Sequence, residues 1–187
     1  MNYEEYWDRL YQTGDELNSL FHHYWSVYSS FDSWQFWVVL ILTVGPLILL
    51  IFTVDRSRVF ELFFLGYSIH LLWTYIDVPL ERYGYFVHKY FFVPIYPYSL
   101  NMTAAVLPVS FLLLYQYCTS RKKDFFVYSA LMSAVFSFVF APLESVIGLL
   151  ELRKGMNYAY LLLIDLAVVY FCYIFTRVLK GVMERNQ

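Results

Sequence analysis

Between Asp32 and Asp55 the chain carries no charged residue, and the same holds between Lys89 and Arg121 and between Asp124 and Glu144. A helix rises about 1.5 Å per residue, so about 20 residues cross a hydrocarbon core about 30 Å thick. These stretches therefore predict membrane spans at 34–54, 102–118 and 125–141. Two further apolar stretches are interrupted only lightly: 59–78 contains His70 and ends on Asp77, and 158–179 contains Asp165. The connections are too short for a soluble domain. The expected fold is an all-α membrane protein with an N-terminal segment 1–33, a five-helix transmembrane domain 34–179 and a cytoplasmic tail 180–187.

Composition agrees. The 187 residues are 60% hydrophobic and 15% charged, against about 45–50% apolar and about 25% charged in an ordinary soluble domain. Such a chain is not disordered, two cysteines do not make a disulfide scaffold, and a net charge of −2 argues against nucleic acid as a partner. The lipid bilayer is the partner the sequence requires.

The connection 79–101 carries Pro79, Pro94 and Pro97 among the aromatics of Tyr83–Tyr98. It is too broken for a straight span and reads as an interfacial segment, where Tyr and Trp accumulate. Lys and Arg set the orientation. Arg9, Arg82, Lys89, Arg153 and Lys154 fall on one side. Arg56, Arg58, Arg121, Lys122, Lys123, Arg177, Lys180 and Arg185 fall on the other. The N-terminus is thus expected outside and the C-terminus inside a plasma membrane.

The first 33 residues begin with Glu4, Glu5 and Asp8, unlike the basic start of a signal peptide. Tyr3, Tyr6, Trp7, Leu10, Leu17, Leu20, Tyr24 and Tyr28 recur at helical spacing. They predict an amphipathic surface helix, broken at Gly14, that packs on the protein's own outer loops.

An internal repeat is visible. Pro-Leu-Glu ends the second span at 79–81 and the fourth at 142–144, with Pro46 and Pro108 in the spans before each. Basic turns, Asp55–Arg58 and Arg121–Asp124, join the paired spans. The pattern suggests a parallel repeat of two helical hairpins plus a fifth helix, related by an axis along the membrane normal.

Polar residues are confined to particular faces. At about 100° per residue, Gly66, His70, Thr74, Asp77 and Glu81 fall within about 40° of one line. Ala130, Ser133, Ser137, Ala141 and Glu144 share a face of the fourth span, and Tyr158, Asp165, Cys172 and Thr176 one of the fifth. Such faces turn away from lipid and are expected to meet. Counted from the outer boundary, His70 and Asp165 both lie roughly 10–12 Å deep, which predicts a hydrogen-bonded pair. Asp77, Glu81 and Glu144 would form an acidic rim beneath the aromatics of 83–98, chemistry suited to an organic cation or metal ion. The plainer alternative is packing, with Glu81 paired to Arg82 and the other acids hydrated. The candidate polar cluster is therefore His70, Asp77, Glu81, Glu144 and Asp165. No catalytic motif, metal signature or cofactor-binding motif is present: H-E-x-x-H, G-x-S-x-G, a Walker A loop and C-x-x-C are all lacking. The adjacent His22 and His23 point about 100° apart on a helix, poor geometry for joint ligation. Cys118 and Cys172 read as free, packed thiols.

Several short motifs occur in a fixed order: Trp34-Gln-Phe-Trp37, His70-Leu-Leu-Trp-Thr-Tyr-Ile-Asp77, Arg82-Tyr-Gly84, Leu107-Pro-Val-Ser110 with Tyr115-Gln-Tyr117, Pro142-Leu143 and Lys154-Gly-Met-Asn-Tyr158. In these the chain resembles a family of small five-span integral membrane proteins of endospore-forming Gram-positive bacteria. The likeness runs from about Tyr24 to the fifth span. It implies a bacterial plasma membrane and brings no activity with it.

Three functions are compatible with these residues. The first is a non-enzymatic sensor, scaffold or partner protein. The second is a small transporter or cation-binding permease, acting as a homodimer or with a membrane-protein partner because five spans enclose little volume. The third is an intramembrane lipid-modifying enzyme. A cavity lined by the polar cluster would favour the second or third.

Overall fold

Side-chain caps and prolines decide where the helices begin and bend. The computed structural model describes every residue except Tyr96, Pro97, Asn186 and Gln187. The expectations for the 79–101 connection at Tyr96 and Pro97, and for the last two tail residues, therefore lie outside the described residues. Helix α1 (Tyr3–Tyr24, continued by a π-helical turn Trp25–Ser29) starts at a capping box between Asn2 and Glu5. Helix α2 (Trp34–Thr53) is capped by the Ser33 hydroxyl, 3.3 Å from the Phe36 amide. Helix α3 (Val59–Arg82) follows a 3₁₀ turn, Arg56–Arg58. Helix α4 opens with a π-helical turn, Asn101–Val106, and continues over Leu107–Arg121. Helix α5 starts at Asp124, whose carboxylate accepts from the Phe126 amide at 2.8 Å. It comprises Phe125–Val135, a π-helical turn Phe136–Phe140, and Ala141–Val146. Helix α6 is Tyr158–Arg185.

Five of these, α2 to α6, are long and apolar enough to cross a membrane, as the three charge-free stretches and the two lightly interrupted ones predict. Four run past their expected ends: α3 continues through Pro79 to Arg82, α4 to Arg121, α5 through Pro142 to Val146, and α6 through most of the expected tail to Arg185. Proline removes a hydrogen bond and crowds the preceding turn. In α4 and α5 a π-helical turn stands just before Pro108 and Pro142 and absorbs that strain without ending the helix. Helix α1 likewise runs unbroken through Gly14. Among the described residues it packs on the loops at its last turns, where Phe21 meets Phe91 and Tyr98 at ring-centroid distances of 6.4 and 4.8 Å.

The all-α expectation also needs a correction. Strand β1 (Phe86–His88) pairs antiparallel with β2 (Leu150–Leu152), in the register Phe86↔Leu152, Val87↔Glu151 and His88↔Leu150. Three-residue strands are too short for alternation to stand out in sequence. The helix ends that lead into them match. After α3 the amides of Tyr83, Gly84 and Tyr85 donate to Pro79, Glu81 and Leu80. After α5 those of Ile147, Gly148 and Leu149 donate to Leu143, Ser145 and Glu144. Gly84 and Gly148 each reverse the chain at positive φ, +67° and +81°.

The core lies among α3, α4 and α6, where Leu62, Leu65, Ile69, Phe111, Leu112, Tyr115, Val169 and Cys172 are buried. Gly66 lets α3 and α4 touch: a Cβ there would stand 2.9 Å from Leu112 Cδ1. Outward apolar side chains such as Phe52, Phe60 and Val146 are 83%, 90% and 84% exposed, a surface suited to lipid.

Candidate functional site

At the end of the bundle that carries the sheet, polar side chains from four helices and a strand converge. Asp77 and Glu81 stand one helical turn apart on α3 and are both buried. The Gly84 turn sends the chain back as β1, where alternation puts Phe86 and His88 on the face toward the bundle. His88 Nδ1–H donates to Glu81 Oε1 at 2.6 Å, and the imidazole is only 9% exposed. The Tyr98 amide donates to Glu81 Oε2 at 3.1 Å, and the Ser99 hydroxyl donates to Asp77 Oδ2. Both donors lie at the start of α4, so the positive end of that helix faces the two acids. From α5 comes Glu144, 5% exposed, and from α6 Asp165, 3% exposed. Trp73 Nε1–H donates to Asp165 Oδ1 at 2.9 Å.

These groups surround a chamber of about 70 Å³, lined by Asp77, His88, Ser99, Thr103, Glu144 and Asp165 together with apolar residues that include Phe86, Phe136 and Leu161. A water needs roughly 10–15 Å³ by the same measure, and pockets for organic ligands run about 300–1,000 Å³. The chamber is therefore the size of an ion with a few waters. Asp165 Oδ2 is buried without a hydrogen-bond partner, and Glu144 makes no side-chain hydrogen bond among the described residues. Beyond Asp165 toward the opposite end, Val168, Val169 and Cys172 of α6 are buried in the apolar core.

Charge sharpens the picture. Three carboxyl groups, those of Asp77, Glu81 and Glu144, act on one imidazole. Burial alone would keep His88 uncharged. The hydrogen bond to Glu81 and the neighbouring Asp77, Glu81 and Glu144 outweigh it and raise the imidazole pKa to about 9. His88 is thus a cation at neutral pH, and the remaining carboxyl groups still outnumber it.

The expected acidic cluster is brought together in part. Asp77, Glu144 and Asp165 line the chamber, and Glu81 stands behind His88. Glu81 pairs with His88 rather than with Arg82. His70 is placed elsewhere: its Nδ1 lies 2.9 Å from the carbonyl oxygen of Thr103, and no hydrogen bond joins it to Asp165 among the described residues. The reason is local. In the π-helical turn of α4 the Leu107 amide donates to Met102. The next nitrogen in that register belongs to Pro108, which has no hydrogen, so the Thr103 carbonyl is free and His70 takes it.

His88, Ser99 and Trp73 were not foreseeable as site residues from helical faces, since the first two lie in the segment between spans. The one available signal for His88 was Phe86-Val87-His88 following a glycine, a strand pattern of minimal length. On its other side His88 borders a groove of about 560 Å³ between α1 and the β1 segment, with Leu20, Phe21, Tyr24 and Lys89 on its walls. Comparisons with protein-family models, with curated proteins and with solved structures return no match.

Proposed function

We propose that this chain is a non-enzymatic integral protein of a bacterial plasma membrane that binds a small cation in the chamber at the sheet end. The observation that carries this reading is the pair of buried carboxyl groups, Glu144 and Asp165, that face the chamber without a full set of partners. A buried carboxylate is expensive unless a proton or a counter-ion balances it. The chamber size suits an inorganic ion better than an organic ligand. Its apolar floor suits a binding site, as in a sensor, more than an open conduit.

The sheet end is proposed to face outside, with the C-terminus cytoplasmic. Support comes from the basic residues Arg56, Arg58, Arg121, Lys122, Lys123 and Lys180 at the opposite end. The chain is also proposed to be a duplicated helical hairpin plus a fifth helix, supported by the matching hydrogen bonds that close α3 and α5 and by the pairing of the strands that follow them. That symmetry around the chamber favours a second reading, a cation permease in which the floor opens, with a homodimer as its working form.

Thermal unfolding of the purified protein in detergent, against a panel of Na⁺, K⁺, NH₄⁺, Mg²⁺, Ca²⁺, Mn²⁺, Zn²⁺ and small amines, tests the proposal. The expected result is stabilisation by an inorganic cation that disappears in the Asp77→Asn/Glu144→Gln double variant. A panel in which no cation raises the melting temperature would count against it.

A further inference from the structure

We infer that Asp77, Glu81, His88 and Glu144 form a site for one divalent transition-metal ion of the zinc or manganese type. This deepens the cation-binding reading above and rests on it. One ligand atom each from Asp77, Glu81 and His88 lies within 4.8 Å of the others. Glu144 lies outside that trio but lines the same chamber, buried and without a hydrogen-bond partner among the described residues, and is the carboxyl group that would move in to complete the set.

The donor set selects the class of ion. Mg²⁺ and Ca²⁺ are held by oxygen ligands, whereas an imidazole nitrogen among carboxylates suits Zn²⁺, Mn²⁺ and their neighbours. Na⁺, K⁺ and ammonium gain little from an imidazole nitrogen, which prefers a transition-metal ion. Such an ion turns the protonated His88 into a ligand by displacing its proton. The step balances simply: the imidazolium releases one H⁺ to solution, and its nitrogen lone pair forms the bond to the metal. Zinc–ligand bonds of about 2.0–2.2 Å put tetrahedral donors roughly 3.3 Å apart. His88 Nδ1 and Glu81 Oε1 stand 2.6 Å apart around the shared proton, so the pair opens by about 0.7 Å when the ion replaces it.

The outer shell is already built. The Tyr98 amide holds Glu81 by Oε2 and the Ser99 hydroxyl holds Asp77 by Oδ2, which leaves Glu81 Oε1 and Asp77 Oδ1 for the ion. Access is by way of His88, which borders both the chamber and the groove beneath α1.

The test is a titration of the chelator-treated, full-length protein in detergent with Co²⁺, followed by its visible ligand-field absorption, and with Zn²⁺, Mn²⁺, Mg²⁺ and Na⁺, followed by thermal shift. The expected outcome is one equivalent of Co²⁺ with the intense spectrum of a low-coordinate nitrogen–oxygen site, displaced by Zn²⁺. Affinity should fall at least about 10–100-fold, the loss typical of disturbing a metal site, in His88→Gln and in Glu144→Gln, and stay unchanged in Glu151→Gln on the exposed side of β2. Stabilisation by Na⁺ or Mg²⁺ that survives His88→Gln overturns the metal inference and leaves the cation reading standing. Absence of stabilisation by every ion overturns both. Should His88→Gln fail to fold, the spectrum of the unaltered protein decides, because a weak, water-like Co²⁺ spectrum overturns the inference alone.

Discussion

Glu81 and His88 lie seven residues apart in sequence and 2.6 Å apart in space, joined by a hydrogen bond across the Gly84 turn. This contact holds the end of α3 to strand β1 and places a charged imidazole over the acidic chamber. It also makes stability depend on pH. With its pKa raised from 6.5 to about 9, folded His88 keeps its proton where the unfolded chain has lost it. The contribution is complete below pH 6.5 and is lost as pH rises through 9. Metal-free protein should therefore lose stability on the order of 2–3 kcal/mol between those limits. Thermal unfolding across that range, with His88→Gln flattening the slope, checks it.

His70 gives the contrasting case. Replacing it with Phe leaves the Thr103 carbonyl without a donor, which should cost about 1–3 kcal/mol. Cation affinity should not change. Parallel melting and binding measurements on His70→Phe separate the two effects; a large loss of affinity would return His70 to the site.

Gly66→Ala should be the most damaging small change in the core. Its Cβ would meet Leu112 Cδ1 at 2.9 Å and the Pro108 carbonyl at 3.4 Å, forcing α3 and α4 apart. A cost of about 1–3 kcal/mol is expected. Gly181→Ala, which meets nothing within 4 Å, should be neutral or stabilising by up to about 1 kcal/mol. Melting temperatures of the two variants provide the comparison.

Gly148 turns the chain at φ +81°. An alanine there should cost about 1–2 kcal/mol, while asparagine, which tolerates this conformation better, should recover part of it. Because the turn delivers β2 to β1, Gly148→Ala should also weaken cation binding when measured beside Gly148→Asn.

Much of the fold was legible because lipid permits few solutions. A charge-free run of helix length has to satisfy its own backbone, so Asp32–Asp55 could only read as a span. Buried acids were legible for the same reason: Asp77, Glu144 and Asp165 sit on faces that cannot meet lipid. The partner of His70 was less so. Depth and helical phase made His70 and Asp165 plausible neighbours, but a proline on a third helix had freed a nearer acceptor. Pro108 was visible in the sequence, whereas the π-helical register that pointed its effect at Thr103 was not.

The sequence by itself therefore determined the spans, their number and which helix faces are polar, since these follow from local composition and the 3.6-residue period. Only the tertiary structure decided the chemistry at the sheet end. Two strands of three residues, from connections far apart in the chain, pair and carry His88 over Asp77, Glu81 and Glu144. No local preference encodes that pairing; it exists because two matching helix ends stand side by side in the folded bundle.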